Sequence, residues 1–119
     1  MTIVVGFSNK REGWAALEHA ITEARLRGLP VVLVPNTERE DVAAGQELLD
    51  RSDVTALIEG PSATGRIADH VIQVAARTNA ALLVIGLRRR SPTGKLLLGL
   101  NAQRILLDAP CPVHTVKAD

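Results

Sequence analysis

Residues 80–101 read AALLVIGLRRRSPTGKLLLGLN. The opening run, 80–86, is unbroken apolar residues closing on Gly86, and Arg88, Arg89 and Arg90 follow after Leu87. A short run that is apolar throughout predicts a strand covered on both faces, as strands are inside a parallel sheet. The segment from Leu87 to Asn101 is then either a cradle for a ligand's phosphates or a basic connection leading into a helix.

Four more apolar runs lie on either side of this one: TIVVG (2–6), PVVLVP (30–35), DVTALIE (53–59) and PVHTVK (112–117). Helical spacing fills the gaps between them. Trp14, Leu17, Ile21 and Ala24 step by three or four, as do Ile67, Val71, Val74 and Thr78, and then Leu98, Ala102, Ile105 and Ala109. The segment REDVAAGQELLD (39–50) is a weaker helix with Gly45 inside it. Gly28 followed by Pro30 ends the first helix, and Ala109-Pro110 ends the last. Strand and helix therefore alternate from end to end. Short connections and right-handed crossovers then make the strands parallel and place helices on both faces of one open sheet.

The chain has 119 residues, enough for one core and too few for two, so residues 1–119 are read as a single α/β domain. Phe7 and Trp14 are its aromatics, which leaves no stacking platform for single-stranded nucleic acid. A formal net charge of +1 gives little pull toward nucleic acid or membrane. The N-terminus lacks a basic segment and a cleavage pattern, no run reaches membrane-spanning length, and the single Cys111 fits a reducing compartment. A soluble, cytoplasmic protein is the expectation.

An open sheet wound in two directions binds ligands where the winding reverses, outside the carboxyl ends of its strands. The loop Gly6-Phe7-Ser8-Asn9 and the loop opening at Gly86 are expected to face each other there. Gly94-Lys95 is no P-loop, because Arg89 and Leu96 occupy positions that need glycine and a hydroxyl residue. The segment still carries assets for anions. Gly86 permits close backbone approach, Gly99 precedes a helix N-terminus, and the arginines offer forked donors. The competing reading is plain: solvated arginines, and KLLLGLNAQRILLD (95–108) as one longer helix with Gly99 inside it.

Three groups of residues resemble the universal stress protein family. They are the strand ending in Gly86 with Gly99 spaced beyond it, the tail LLDAPCPVHTVK (106–117), and the opening IVVGFSNKREGWAALEHAITEA (3–24). The likeness spans nearly the whole chain and is shorter than the family around 36–52. It implies the sheet order 3-2-1-4-5, the fold described as adenine nucleotide alpha hydrolase-like, and homodimers through the last strand, here Val113, His114, Thr115 and Val116.

Some members of that family bind ATP through G-x-x-G, nine residues, then G-[ST]. Laid on this chain the positions are Gly86, Arg89, Gly99 and Leu100, so the second and the last depart from the pattern. Arg89 either closes the cradle or swings outward onto a phosphate. Asn101 is expected to replace the lost hydroxyl in part as a helix N-cap. Ser8 stands where ATP-binding members carry Asp, and reads equally as a turn residue. Phe7 reads as a border of the adenine or as core, and Val34 matches the adenine-lining position. ATP or another adenine nucleotide, with magnesium, is the implied ligand. It would lie between Ser8 and Val34 on the base side, with its phosphates toward Arg88, Arg89, Gly99 and Asn101. A nucleotide-independent dimeric scaffold of the same fold is the alternative.

No nucleophile, base and orienting group recur together, so the sequence lends catalysis no support, and a slow ATP- or phosphate-transfer enzyme ranks last. His19, His70 and His114 fall in different elements and read as surface residues without metal-ligand spacing; Asp69 and His70, being adjacent, do not face each other. Cys111, between two prolines, reads as an inert thiol.

Overall fold

The computed structural model describes residues 1–36, 42–60, 66–88 and 98–118. Its elements alternate throughout: β1 (Thr2–Phe7), α1 (Arg11–Arg27), β2 (Val31–Pro35), α2 (Ala43–Asp50), β3 (Ala56–Ile58), α3 (Ile67–Arg77), β4 (Ala80–Arg88), α4 (Leu100–Asp108) and β5 (Val113–Ala118). They build one five-stranded sheet in the order β3-β2-β1-β4-β5, parallel at every pairing. The order 3-2-1-4-5 expected from the resemblance is the order observed.

Alternation along β1 sorts the core into two layers, because successive side chains in a strand leave on opposite faces. Ile3, Val5 and Phe7 join Leu17, Ile21, Leu33, Leu49 and Leu82 on the face covered by α1 and α2. Val4 joins Val32, Val34, Val71, Val74, Leu83 and Ile105 on the face covered by α3 and α4. Each fully buried aliphatic side chain of this kind contributes about 1.5–3 kcal/mol, and β1 is buried along its whole length. That double burial is why its sequence carries no polar residue after Thr2.

The elements end close to where the sequence places them. Gly28 closes α1 in the left-handed region at φ 65°, its N–H donating to the Ala24 carbonyl. β4 runs two residues past Gly86 to Arg88. At α4 one expectation is corrected: Gly99 is the N-cap, in extended conformation, and Asn101 is the second residue of the helix. Asn101 therefore does not cap it, and the longer helix with Gly99 inside is also excluded, since Leu98 and Gly99 are not helical. The expected start of α2 at Arg39 lies outside the described residues.

The winding reverses between β1 and β4. From β1 the chain moves outward through β2 to β3, then returns to β4 and continues to β5. The carboxyl ends of β1 and β4 are thus neighbours, with α1 leaving one and the path to α4 leaving the other. β5 forms one edge of the sheet. No helix among the described residues is long and apolar enough to cross a membrane.

Candidate functional site

At this reversal the structure holds a cleft of about 370 Å³, within the range of about 300–1,000 Å³ usual for small-molecule sites. Its walls take residues from five elements. Gly6 comes from β1, Glu12 from α1, Ile67 from α3, Gly86 and Arg88 from β4, and Gly99, Leu100 and Asn101 from the start of α4, with Asn36 and Ile105 also among the lining residues. Six residues singled out from the sequence are brought together: Gly6, Gly86, Arg88, Gly99, Leu100 and Asn101.

Phe7, Ser8 and Val34 are not among the lining residues. Phe7 is fully buried in the α1 layer and meets the Trp14 ring edge-on at 5.2 Å. Of its two readings, the structure places it in core. Val34 is fully buried in the opposite layer. Ser8 is 5% exposed, and its hydroxyl has no hydrogen-bond partner among the described residues. It does not cap α1, whose N-cap position is Lys10. Arg89 and Arg90 lie outside the described residues.

The glycines differ in why they are glycine. A Cβ on Gly86 would lie 1.9 Å from the carbonyl oxygen of Glu12, and one on Gly13 would lie 1.9 Å from that of Ser8. Both let the first turn of α1 press onto backbone, so Gly86 serves packing between β4 and α1, not only access for a ligand. Gly99 is different. A Cβ there would meet nothing within 4 Å, and its backbone is one that any residue adopts. No contact of Gly99 among the described residues requires the absence of a side chain.

The polar groups of the cleft are complementary in kind. The N–H groups of the first turn of α4 have no intrahelical acceptor, among the described residues no side chain caps them, and this positive end of the helix dipole lies at the cleft wall. Arg88, exposed at the end of β4, adds a cation. Glu12 supplies the opposite charge, and its Oε2 is buried without a partner among the described residues. Sequence reasoning passed over Glu12, because it sits inside the helix. The available signal was its position in the first turn directly after the loop expected to border the crevice. Asn36 was likewise missed; its side-chain oxygen lies near Gly6.

The histidine reading is corrected. His19 on α1 and His114 on β5 meet, with His19 Nε2 2.9 Å from His114 Nδ1, and both are half-buried. Glu23 stands beside both of them. The His19-to-Glu23 spacing of one helical turn was legible in the sequence; the arrival of His114 needed the fold. Asp69 and His70 do turn apart: Asp69 accepts from Arg104 Nη2 at 2.8 Å, while the His70 ring pairs with the Gly60 carbonyl oxygen at 3.0 Å. Cys111 is half-buried, and burial pushes its thiol above the ordinary range, the reverse of what activates a nucleophile.

Comparison with known proteins adds to this geometry. The sequence profile of the universal stress protein family matches residues 36–117. A universal stress protein of Mycolicibacterium smegmatis is 38% identical over 129 aligned residues, covering 97% of this chain and 96% of that protein. The structure of a universal stress protein from Archaeoglobus fulgidus aligns with a TM-score of 0.79 at 28% identity, over 100% of this chain and 98% of that one. A second structure from Archaeoglobus fulgidus, a universal stress protein in complex with dAMP, aligns with a TM-score of 0.72 at 22% identity, over 100% and 98% of the two chains.

Proposed function

The chain belongs to the universal stress protein family, and on that footing we propose that it is an adenine-nucleotide-binding regulatory module of the stress response, acting in the cytoplasm. The observation that carries this reading is the pairing, in one cleft, of a buried and unpartnered Glu12 Oε2 with the uncapped N-terminus of α4, both as seen among the described residues. A ligand that satisfies both must donate at one end and accept at the other. A nucleotide does so: its hydroxyl or amino groups donate to Glu12, and its phosphates accept from the first turn of α4 and from Arg88. The unencumbered Gly99 leaves room for a phosphate against the backbone. The dAMP complex of a structural relative supports the choice of an adenine nucleotide.

Among the described residues of the cleft there is no nucleophile with a base and an orienting partner, so binding, not turnover, is the proposed role. Thermal denaturation with ATP, ADP and AMP, with and without magnesium, tests it. Ligand at a hundred times its Kd adds about 2.7 kcal/mol to the native state, a rise of several degrees. An unmoved transition at millimolar nucleotide would falsify the reading.

A second reading rests on Leu100. It is 84% exposed at the position where the family's phosphate motif carries a hydroxyl, which favours a scaffold that works without nucleotide. In either reading we propose a homodimer through β5, whose outer edge has no strand beside it among the described residues. Val113, Thr115 and Val116 make that edge pairable, and an antiparallel pairing of two copies would be self-complementary. Sedimentation giving a monomer's mass would remove the dimer.

A further inference from the structure

None of His19, Glu23 and His114 lines the cleft; they meet where α1 packs against the edge strand β5. His114 is carried on the side of β5 that faces α1, as is Val116, which packs on the α1 layer. His19 and Glu23 are one turn apart on α1, so they present side chains to the same spot. Three potential donor atoms converge there. His19 Nε2 is 2.9 Å from His114 Nδ1, 3.8 Å from Glu23 Oε1, and Glu23 Oε1 is 3.9 Å from His114 Nδ1.

Those lengths are those of a coordination triangle. Two ligands on a tetrahedral zinc with bonds of about 2.0–2.1 Å stand about 3.3 Å apart, and the three observed edges straddle that value. A triangle with these sides has one point in its plane about 2.1 Å from all three corners, the ordinary Zn–N bond length, so a slight closing of the three side chains lifts the ion out of that plane toward a fourth, tetrahedral ligand. One of the facing ring nitrogens donates its N–H to the lone pair of the other, and when the donating ring takes its other tautomer both lone pairs point at the same spot. A divalent ion accepts both lone pairs and the carboxylate at once.

The surroundings fit as well. Arg27 Nε donates to Glu23 Oε2 at 3.1 Å, which holds the carboxylate with its other oxygen toward the histidines. Side-chain exposures of 35% for His19, 39% for His114 and 17% for Glu23 leave a path for an ion and a place for water as the fourth ligand. Two imidazoles and one carboxylate suit zinc and its neighbours and do not suit magnesium or calcium, which take oxygen ligands.

We propose that His19 Nε2, His114 Nδ1 and Glu23 Oε1 bind a divalent transition-metal ion of the zinc class, which ties α1 to the edge strand β5. The site is independent of the nucleotide cleft, and its failure would leave that reading untouched.

Isothermal titration of the full chain with Zn²⁺, and visible absorption with Co²⁺, test the site. One equivalent of Zn²⁺ bound at micromolar concentration and an intense tetrahedral Co²⁺ spectrum are expected. His19→Ala and His114→Ala should each weaken binding at least tenfold, while His70→Ala and Cys111→Ser leave it unchanged. Because an altered histidine could unsettle the α1–β5 contact, imidazole NMR of the unmodified chain is the companion measurement. Zn²⁺ should shift the His19 and His114 ring signals and spare His70. Absence of Zn²⁺ binding, binding that survives loss of both histidines, or ring signals unmoved at His19 and His114 would overturn the proposal.

Discussion

The α-carbon of Gly86 and the carbonyl of Glu12 are packed so closely that a methyl group on Gly86 would sit 1.9 Å from the Glu12 oxygen. This contact joins the end of β4 to the first turn of α1 and sets the back wall of the cleft. Gly99, on the facing wall, has no such neighbour among the described residues. The two glycines therefore separate stability from binding. Gly86→Ala forces backbone to move and should cost about 1–3 kcal/mol, as overpacking does. Gly99→Ala should leave thermal stability nearly unchanged while weakening nucleotide affinity. Melting curves and nucleotide titration on both variants check this; equal melting losses in the two would contradict it.

Glu12→Gln removes a carboxylate whose buried oxygen no donor among the described residues satisfies. The unliganded protein should be as stable or more so, since leaving such a group unpaired is costly. Nucleotide affinity should fall about tenfold or more, the scale of a hydrogen bond to a charged group at about 1.5–3 kcal/mol. Unaltered affinity would remove Glu12 from the site.

Leu100 is exposed, so Leu100→Ser should change stability by no more than about 0.5 kcal/mol. If the family's hydroxyl contributes a net hydrogen bond of about 1 kcal/mol, affinity should rise about fivefold. Combining it with Arg89→Gly, which completes the family pattern, should not lower affinity below that of Leu100→Ser alone. A drop would show that the arginine side chain holds the ligand.

Burial pushes the Cys111 thiol upward, so iodoacetamide should modify it more slowly at neutral pH than it modifies a cysteine in an unfolded peptide. The sign for stability comes from linkage. The folded state holds the thiol proton more tightly, so this group's contribution is full below the ordinary thiol range and is lost as pH rises through the raised folded value. The effect is small because Cys111 is partly open to solvent. Cys111→Ser should flatten that alkaline loss; modification faster than in the unfolded peptide would contradict the burial effect.

Much of the fold was written locally. Runs such as 80–86 and 30–35 are apolar because both faces are covered, and that property alone marks them as inner strands. Gly28, Pro30 and Pro110 punctuate the helices by backbone geometry, which is a local matter. Crossover handedness then limits the topology, so strand order and the switch between β1 and β4 were within reach of the sequence together with its family resemblance. Six cleft residues came with that placement. Phe7, Ser8 and Val34 do not line the cleft, because a residue near a strand's end can face either layer or the cleft, and only packing settles which.

The order of residues alone was enough for the alternation of strand and helix, for helices on both faces of one sheet, and for the glycines and arginine expected at its reversal. It took the folded chain to show why Gly86 is glycine, that a carboxylate oxygen of Glu12 lies buried in the cleft, and that His19 meets His114 across 95 residues of chain. The difference is one of range. Periodicity and turn chemistry act between near neighbours in the chain, whereas a cleft or a cluster of ligands is made where separate elements are pressed together by the core beneath them.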